Sequence, residues 1–363
     1  MSASAKGLRR IRLAAVSFLN ARPITYGLER ALAPGPGAKT DDTEDAAGFL
    51  ERFDLSFDLP SRCAERLAAG DVDLALLPTA SYRAIEATME LRAVPGVAIT
   101  SFGDVRTVVL VGDVPWNQMT DIALDGASRS SAALVRLLSR ERGVDPRFVA
   151  VEHEHIATAA RGTTGALVIG DAGFAVADKY AHVYDLGGEW KRLTGLPFVY
   201  ALWAGRPDAI DDHGVALLQK SLAAGLDHRA EIARAWAEAH GGAPSMYERY
   251  LTDNIRYRLG SEELSGVGAF FERLRLDENV ERKTRVRFFD GAYVKEHARR
   301  ASMSAVSDSL SDSQSDLRSG ARSTDALLSD AAAGGRPSPE DFIRLYADAS
   351  TLDIGAAADA RRR

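Results

Sequence analysis

The sequence predicts an α/β fold. Short apolar runs alternate with stretches of helical periodicity over most of the chain, as expected where the strands of a sheet are separated by covering helices. The length, 363 residues, divided by about 150 residues per domain leaves room for roughly two bodies. A hydrophobic fraction of 46% with 26% charged residues is that of an ordinary folded chain. The balance of 45 Lys and Arg against 51 Asp and Glu, net −6, argues against a general polyanion binder, so no nucleic-acid partner is expected. A small anionic ligand stays open, because it needs only one or two cations and a few backbone donors.

Taken in order, Ile11–Val16 is a strand and residues 23–31 the helix after it. Residues 34–48 are polar and rich in breakers and form a loop. Residues 54–58 make a second strand. Ser61 is the expected N-cap of a helix that ends at Gly70. A buried strand over 72–77 leads through the turn Pro78-Thr79-Ala80-Ser81 into a helix over 82–88. Strands follow at 105–111 and 122–124, then a loop at 126–130 and an amphipathic helix over 131–142, with Leu134, Leu137 and Leu138 on one side. Residues 148–151, 166–169, 182–185 and 198–204 continue the strands. The pattern is mostly helical from 211 to 274, and 285–289 is a last strand.

The single cysteine, Cys63, excludes a disulfide, a CxxC pair and a cysteine-based metal site within this chain. It also points to a reducing compartment. The basic N-terminus and the apolar start of Ile11–Val16 have the outline of a signal peptide. Arg12 and Ser17 interrupt it, however, and Asn20, Arg22 and Pro23 stand where a cleavage site belongs. No apolar run approaches the length of a membrane span, and a soluble, cytoplasmic protein is expected. Residues 298–339, rich in Ser, Asp, Gly and Pro, have the composition of a disordered linker. Helical periodicity returns over 340–363 through Phe342, Leu345 and Tyr346.

Three strand-to-helix turns carry most of the chemical signal: Ser17 to Pro23, Pro78 to Ser81, and Ser128 to Ser131. Each sets unpaired backbone N–H groups and small hydroxyls at a helix start, which suits a carboxylate. The same hydroxyls also serve as ordinary N-caps. Asn20 offers a neutral amide that donates or accepts without adding charge; an Asx-turn is its structural alternative. Arg22 pairs either with a substrate or with a neighbouring acid. Asp171, between a strand and a helix, has the position of an N-cap. His153 and His155 flank Glu154 on one strand face, yet no third metal ligand stands at a recognised spacing. No GxGxxG, P-loop or GxSxG motif is present. Trp116, Trp190, Trp203 and Trp236 are too irregularly spaced for a stacking platform and belong to the core.

Several motifs in order resemble one family. They are AVSFLNARPITYGLE (15–29), GDVDLALLPTASYR (70–83), IALDGASRSSAALVRLLSRERG (122–143), ALVIGDAGF (166–174), YDLGGEWKRLTGLPFVYALWAGR (184–206) and NIRYRLGSEEL (254–264). Together they resemble the chorismate dehydratases of the futalosine route to menaquinone. The resemblance implies a two-lobed fold like that of class II periplasmic binding proteins, with two hinge crossovers. Lobe I would hold 1–104 and 201–297, and lobe II 105–200. It implies Asn20 as the catalytic residue. Ser17, Arg22, Thr79, Ser81, Ser128, Arg129, Ser130, Gly170 and Asp171 would bind the substrate, with no metal and no organic cofactor.

The implied substrate is chorismate, a dianion that loses a ring hydroxyl and a ring proton to become 3-[(1-carboxyvinyl)oxy]benzoate. No His lies in the matching motifs, and the substrate's own enolpyruvyl carboxylate is the expected base, with Asp171 as the protein alternative. Residues 340–363 resemble the leading helices of the radical SAM enzymes of the same pathway, without their cysteine motif, and suggest a fused or partner enzyme. Three other readings share the fold: a solute-binding protein, a ligand sensor, and the enzyme of this pathway that forms 1,4-dihydroxy-6-naphthoate. That last family usually opens on an SPCPNDTF-like motif, where this chain has SFLNARP.

Overall fold

Strands that are apolar along their whole length need cover on both faces, and among the described residues ten strands divide between two sheets. In chain order they are Ile11–Val16 (β1), Phe53–Asp58 (β2), Leu74–Pro78 (β3), Arg92–Ser101 (β4), Val108–Gly112 (β5), Asp121–Asp125 (β6), Arg147–Val151 (β7), Thr164–Ile169 (β8), His182–Asp185 (β9) and Phe198–Gly205 (β10). The structure, a computed structural model, describes residues 10–32, 49, 51–176, 179–278 and 283–289. The expected loop at 34–48, the linker at 298–339 and the segment 340–363 lie outside the described residues.

The first sheet has the order β2-β1-β3-β10-β4 and the second β7-β6-β8-β5-β9. The two share one plan. β1 is parallel to β2 and β3, and β10 is inserted antiparallel between β3 and β4. β6 is parallel to β7 and β8, and β5 lies antiparallel between β8 and β9. The fully buried β3 and β5 occupy interior places, which accounts for their unbroken apolar runs.

The main helices are Arg22–Leu32 (α1), Pro60–Ala69 (α2), Thr79–Glu86 (α3), Ser130–Glu141 (α4), Leu186–Thr194 (α5), Asp212–Asp227 (α6), Arg229–His240 (α7), Pro244–Arg249 (α8) and Ser261–Glu278 (α9). α1 lies so close to α6 that a Cβ on Gly225 would meet the Pro23 carbonyl oxygen at 2.0 Å. Trp116, Trp190, Trp203 and Trp236 are all buried. None of the described helices is long and apolar enough to cross a membrane.

Several elements depart from the sequence reading. β4 is absent from it because Pro95 and Gly96 interrupt the pattern; as an edge strand β4 tolerates both. α5 is masked by Gly187 and Gly188, and Asp185 stabilises its start. α2 begins at Pro60 after Leu59, so Ser61 lies inside the helix and is not its N-cap. α3 starts at Thr79, which brings Thr79 and Ser81 into its first turn. Of residues 285–289, Phe288 alone bridges to the sheet, at Ala93.

The chain crosses to the second sheet between β4 and β5 and returns between β9 and β10. Asp185 knots the two crossovers together. Its carboxylate accepts from Val105 N at 3.0 Å and Arg106 N at 2.6 Å in the outgoing strap, and from Gly187 N at 2.9 Å and Gly188 N at 3.1 Å in the returning one. Burial nevertheless pushes this carboxyl above the usual range. Arg106 sits in the left-handed region at φ +67°, a conformation that costs an L-residue about 1–2 kcal/mol and that the knot holds in place. Behind it, Tyr250 Oη lies 2.7 Å from Thr107 Oγ1, and Asn254 Nδ2 donates to Asp104 O at 2.9 Å. Asp185→Ala orphans four N–H donors at once and is expected to lower stability by about 2–4 kcal/mol, measured by urea unfolding.

Candidate active site

The carboxyl ends of β1, β3, β6 and β8 open onto one crevice between the sheets, where ligands of open α/β sheets bind. Phe18, Asn20, Pro78 and Tyr200 line it from the first lobe, Tyr200 on β10 of the first sheet and not in lobe II as its place before residue 201 implied; Ser128 to Ser131, Ile169 and Gly170 line it from the second. It encloses about 520 Å³ of atom-free space, counting its open mouth.

Three helix starts of the first lobe point their N–H groups across it. Leu19 N, in the 3-10 turn Leu19–Ala21 that follows β1, donates to Asp171 Oδ1 at 3.2 Å. Ser61 N, at the start of α2, donates to Ala127 O at 3.2 Å. Ala80 N, at the start of α3, donates to Ser130 Oγ at 3.1 Å, and that hydroxyl passes its own proton to Tyr200 O at 3.2 Å. Arg129 reaches Glu65 of α2 at 3.4 Å. The lobes therefore meet through donors that helix geometry leaves unpaired.

Asn20 lies among the lining residues with its Oδ1 buried and, among the described residues, without a hydrogen-bond partner. Its amide stands beside the Tyr250 hydroxyl, which burial drives up beyond its ordinary range. Asp171 is the other unusual group. Burial pushes its carboxyl up to about 6, against the Leu19 N–H and the charges of His240 and Arg22.

Of the residues expected to bind substrate, the structure brings Asn20, Ser128, Arg129, Ser130 and Gly170 to the crevice lining. Ser17, Arg22, Thr79, Ser81 and Asp171 are not among its lining residues. The Arg22 guanidinium turns away to Glu29 at 2.9 Å and Ser17 O at 3.3 Å, under Phe57 at 4.2 Å and Trp236 at 5.3 Å. Ser17 is half-buried and offers that carbonyl. Thr79 is fully buried and its Oγ1 donates to Val199 O at 2.7 Å; Ser81 is also buried. Asp171 caps no helix of its own but the opposite turn at Leu19. His153 and His155 belong to a 3-10 turn rather than a strand, and among the described residues no three His, Cys, Asp or Glu side chains cluster as a metal site requires.

Sequence reasoning missed Phe18 and Tyr200. Phe18 lies inside the first motif, and the signal for it was Gly170. At φ +66°, a Cβ on Gly170 would stand 2.7 Å from the Phe18 ring, so only glycine lets the ring close over this backbone.

A family model described as menaquinone biosynthesis matches residues 11–276. The chain belongs to that family. It is 30% identical over 249 residues to the chorismate dehydratase of Thermus thermophilus, a match that covers 62% of this chain and 89% of the relative. Among solved structures, a protein of Archaeoglobus fulgidus superposes with a TM-score of 0.58 at 14% identity, over 75% of this chain and 98% of that one. The periplasmic aliphatic sulphonate binding protein of Escherichia coli gives 0.53 at 13% identity, over 86% and 97%. At such identities these two establish the fold alone: an α/β, two-lobed, periplasmic-binding-protein-like architecture.

Two variants probe this geometry. Gly170→Ala drives a methyl into the Phe18 ring from a left-handed backbone and is expected to cost about 2–4 kcal/mol in urea unfolding. Asp171 holds its proton to higher pH when folded than when unfolded. Its contribution therefore favours the fold below about pH 4 and is withdrawn as pH rises through about 6. Relative to wild type, Asp171→Asn should gain stability across that interval; an unchanged difference between the two proteins would contradict the burial argument.

Proposed function

We propose that this chain is a chorismate dehydratase that converts chorismate to 3-[(1-carboxyvinyl)oxy]benzoate and water. Family membership and the Thermus relative's name support the substrate. The observation that carries the reading to these residues is Asn20, whose buried, unpartnered Oδ1 lies in the lining of an anion-suited crevice.

The reaction breaks one C–H and one C–O bond on adjacent ring carbons, and formation of the aromatic ring drives it. The ring carboxylate, conjugated through the diene, acidifies the proton on the carbon that bears the enolpyruvyl ether. The enolpyruvyl carboxylate, tethered to that carbon, takes the proton. The electron pair moves into the ring and expels the neighbouring hydroxyl, which leaves as water with a proton returned by the new carboxylic acid. Atoms and charge balance with no external reagent.

The protein's task is then orientation. Asn20 Oδ1 accepts from the substrate hydroxyl and holds its C–O bond across the ring plane. Ser128, Arg129 and the helix-start N–H groups hold the carboxylates, each charge-assisted bond contributing about 1.5–3 kcal/mol. Fixing the tethered base beside its proton supplies the larger part of the acceleration. Ser130 acts through the closed state, because its hydroxyl already joins Ala80 N to Tyr200 O.

Incubation with chorismate, followed by chromatography for the aromatic ether, tests the assignment. Product is expected; binding without product would favour the solute-binding or sensor reading, and no binding would overturn both. Asn20→Ala should lower kcat by about 10²–10³-fold with folding intact. Asp171→Asn should stay within about tenfold of wild type, whereas a base at Asp171 would lose nearly all turnover and make wild-type kcat climb with pH through about 6.

A further inference from the structure

Asp125 and His153 belong to the second lobe, next to the loop and the Phe18 ring that line the crevice, and take no part in the chemistry above. Asp125 ends β6 and is 1% exposed. Its Oδ1 accepts from Ala127 N at 2.8 Å, which fixes the loop that carries Ser128 and Arg129. Its Oδ2 meets His153 Nδ1 at 2.6 Å. A carboxylate withdrawn from water favours a positive partner, and His153 is the titratable base in contact with it.

His153 follows β7 and opens the turn His153–Thr158. Its ring rests against Phe18 of the first lobe, with centroids 5.8 Å apart, and Phe18 lines the crevice. Nδ1 is taken by Asp125, so Nε2 is the ring nitrogen left over; it has no hydrogen-bond partner among the described residues, and the side chain keeps 30% exposure. In the neutral ring, with Nδ1–H donating to Asp125, Nε2 is a bare acceptor; only the imidazolium presents an N–H there. The charged groups that face the ring are Asp125 from β6, Glu154 from its own turn and Asp171 from the turn after β8. All are acids, and the Asp125 hydrogen bond, first among them, holds the imidazole above its ordinary value.

The crevice is short of positive charge. Among the described residues that line it, Arg129 is the one cation, and it is shared with Glu65. A dianion needs a second cationic seat. We propose that His153, oriented by buried Asp125, is a specificity-determining residue that receives one substrate carboxylate on its Nε2–H at the rim beside Phe18. The proposal rests on the dehydratase reading, which makes the substrate a dianion.

Steady-state kinetics on the intact chain, with chorismate across pH 5.5 to 9, decide it. In wild type, kcat/KM falls as pH rises and the imidazolium loses its proton. His153→Phe keeps a ring against Phe18 but has neither charge nor donor; His153→Gln keeps a neutral donor. KM is expected to rise about 10- to 100-fold in the Phe variant and less in the Gln variant, with kcat nearly unchanged and the alkaline fall gone from both. Rescue by Phe would assign His153 to packing alone and overturn the proposal, as would wild-type KM and pH profile in both variants. Either result, obtained while wild type still forms the benzoate, leaves the dehydratase reading standing. Absence of product from wild type removes that reading and the proposal together.

Discussion

A helix leaves its first N–H groups without partners in its own turn, and three of those orphans hold this protein's lobes together. Leu19, Ser61 and Ala80 each donate across the crevice, to Asp171, Ala127 and Ser130. The consequence is chemical as well as architectural. Donors suited to carboxylate oxygens converge on one space, and the second lobe meets them with a carboxylate, a carbonyl and a hydroxyl. A substrate carboxylate competes for the same hydrogen bonds, so ligand entry and lobe closure draw on a common set of contacts.

The crossovers set how those donors are aimed. Asp185 gathers four backbone N–H groups from both straps, and Tyr250 and Asn254 brace the outgoing one from the C-terminal side. The Tyr250 hydroxyl that touches Thr107 also neighbours the Asn20 amide. Hinge and site are thus joined by one hydroxyl contact. Rigid support behind a short, neutral side chain is what a reaction controlled by orientation requires.

Much of this was legible in the chain. Alternating apolar and amphipathic runs announced α/β layers, and the Ser17, Pro78 and Ser128 turns marked where strand ends feed helix starts. Elements with local disguises were lost: β4 behind Pro95 and Gly96, α5 behind Gly187 and Gly188. Side-chain direction was the other blind spot. Asp171 has the spacing of a local cap, yet its donor, Leu19 N, is 152 residues away. Arg22 sits in the right turn, but its guanidinium packs against Phe57 and Trp236 and pairs with Glu29. Thr79 and Ser81 fall inside α3 because that helix begins one turn earlier than its apolar pattern does. Contacts across a crevice join residues far apart in sequence, and periodicity carries no record of them.

The proposed mechanism makes the protein a mould and the substrate its own base. An analogue of chorismate with the enolpyruvyl carboxylate converted to its amide keeps the ring, the hydroxyl and the ring carboxylate but removes the proposed base. Single-turnover measurement at saturating analogue, with occupancy checked by competition against chorismate, separates binding from chemistry. The account predicts a bound analogue that fails to aromatise. Aromatisation at the rate of chorismate itself would place the base on the protein and contradict it.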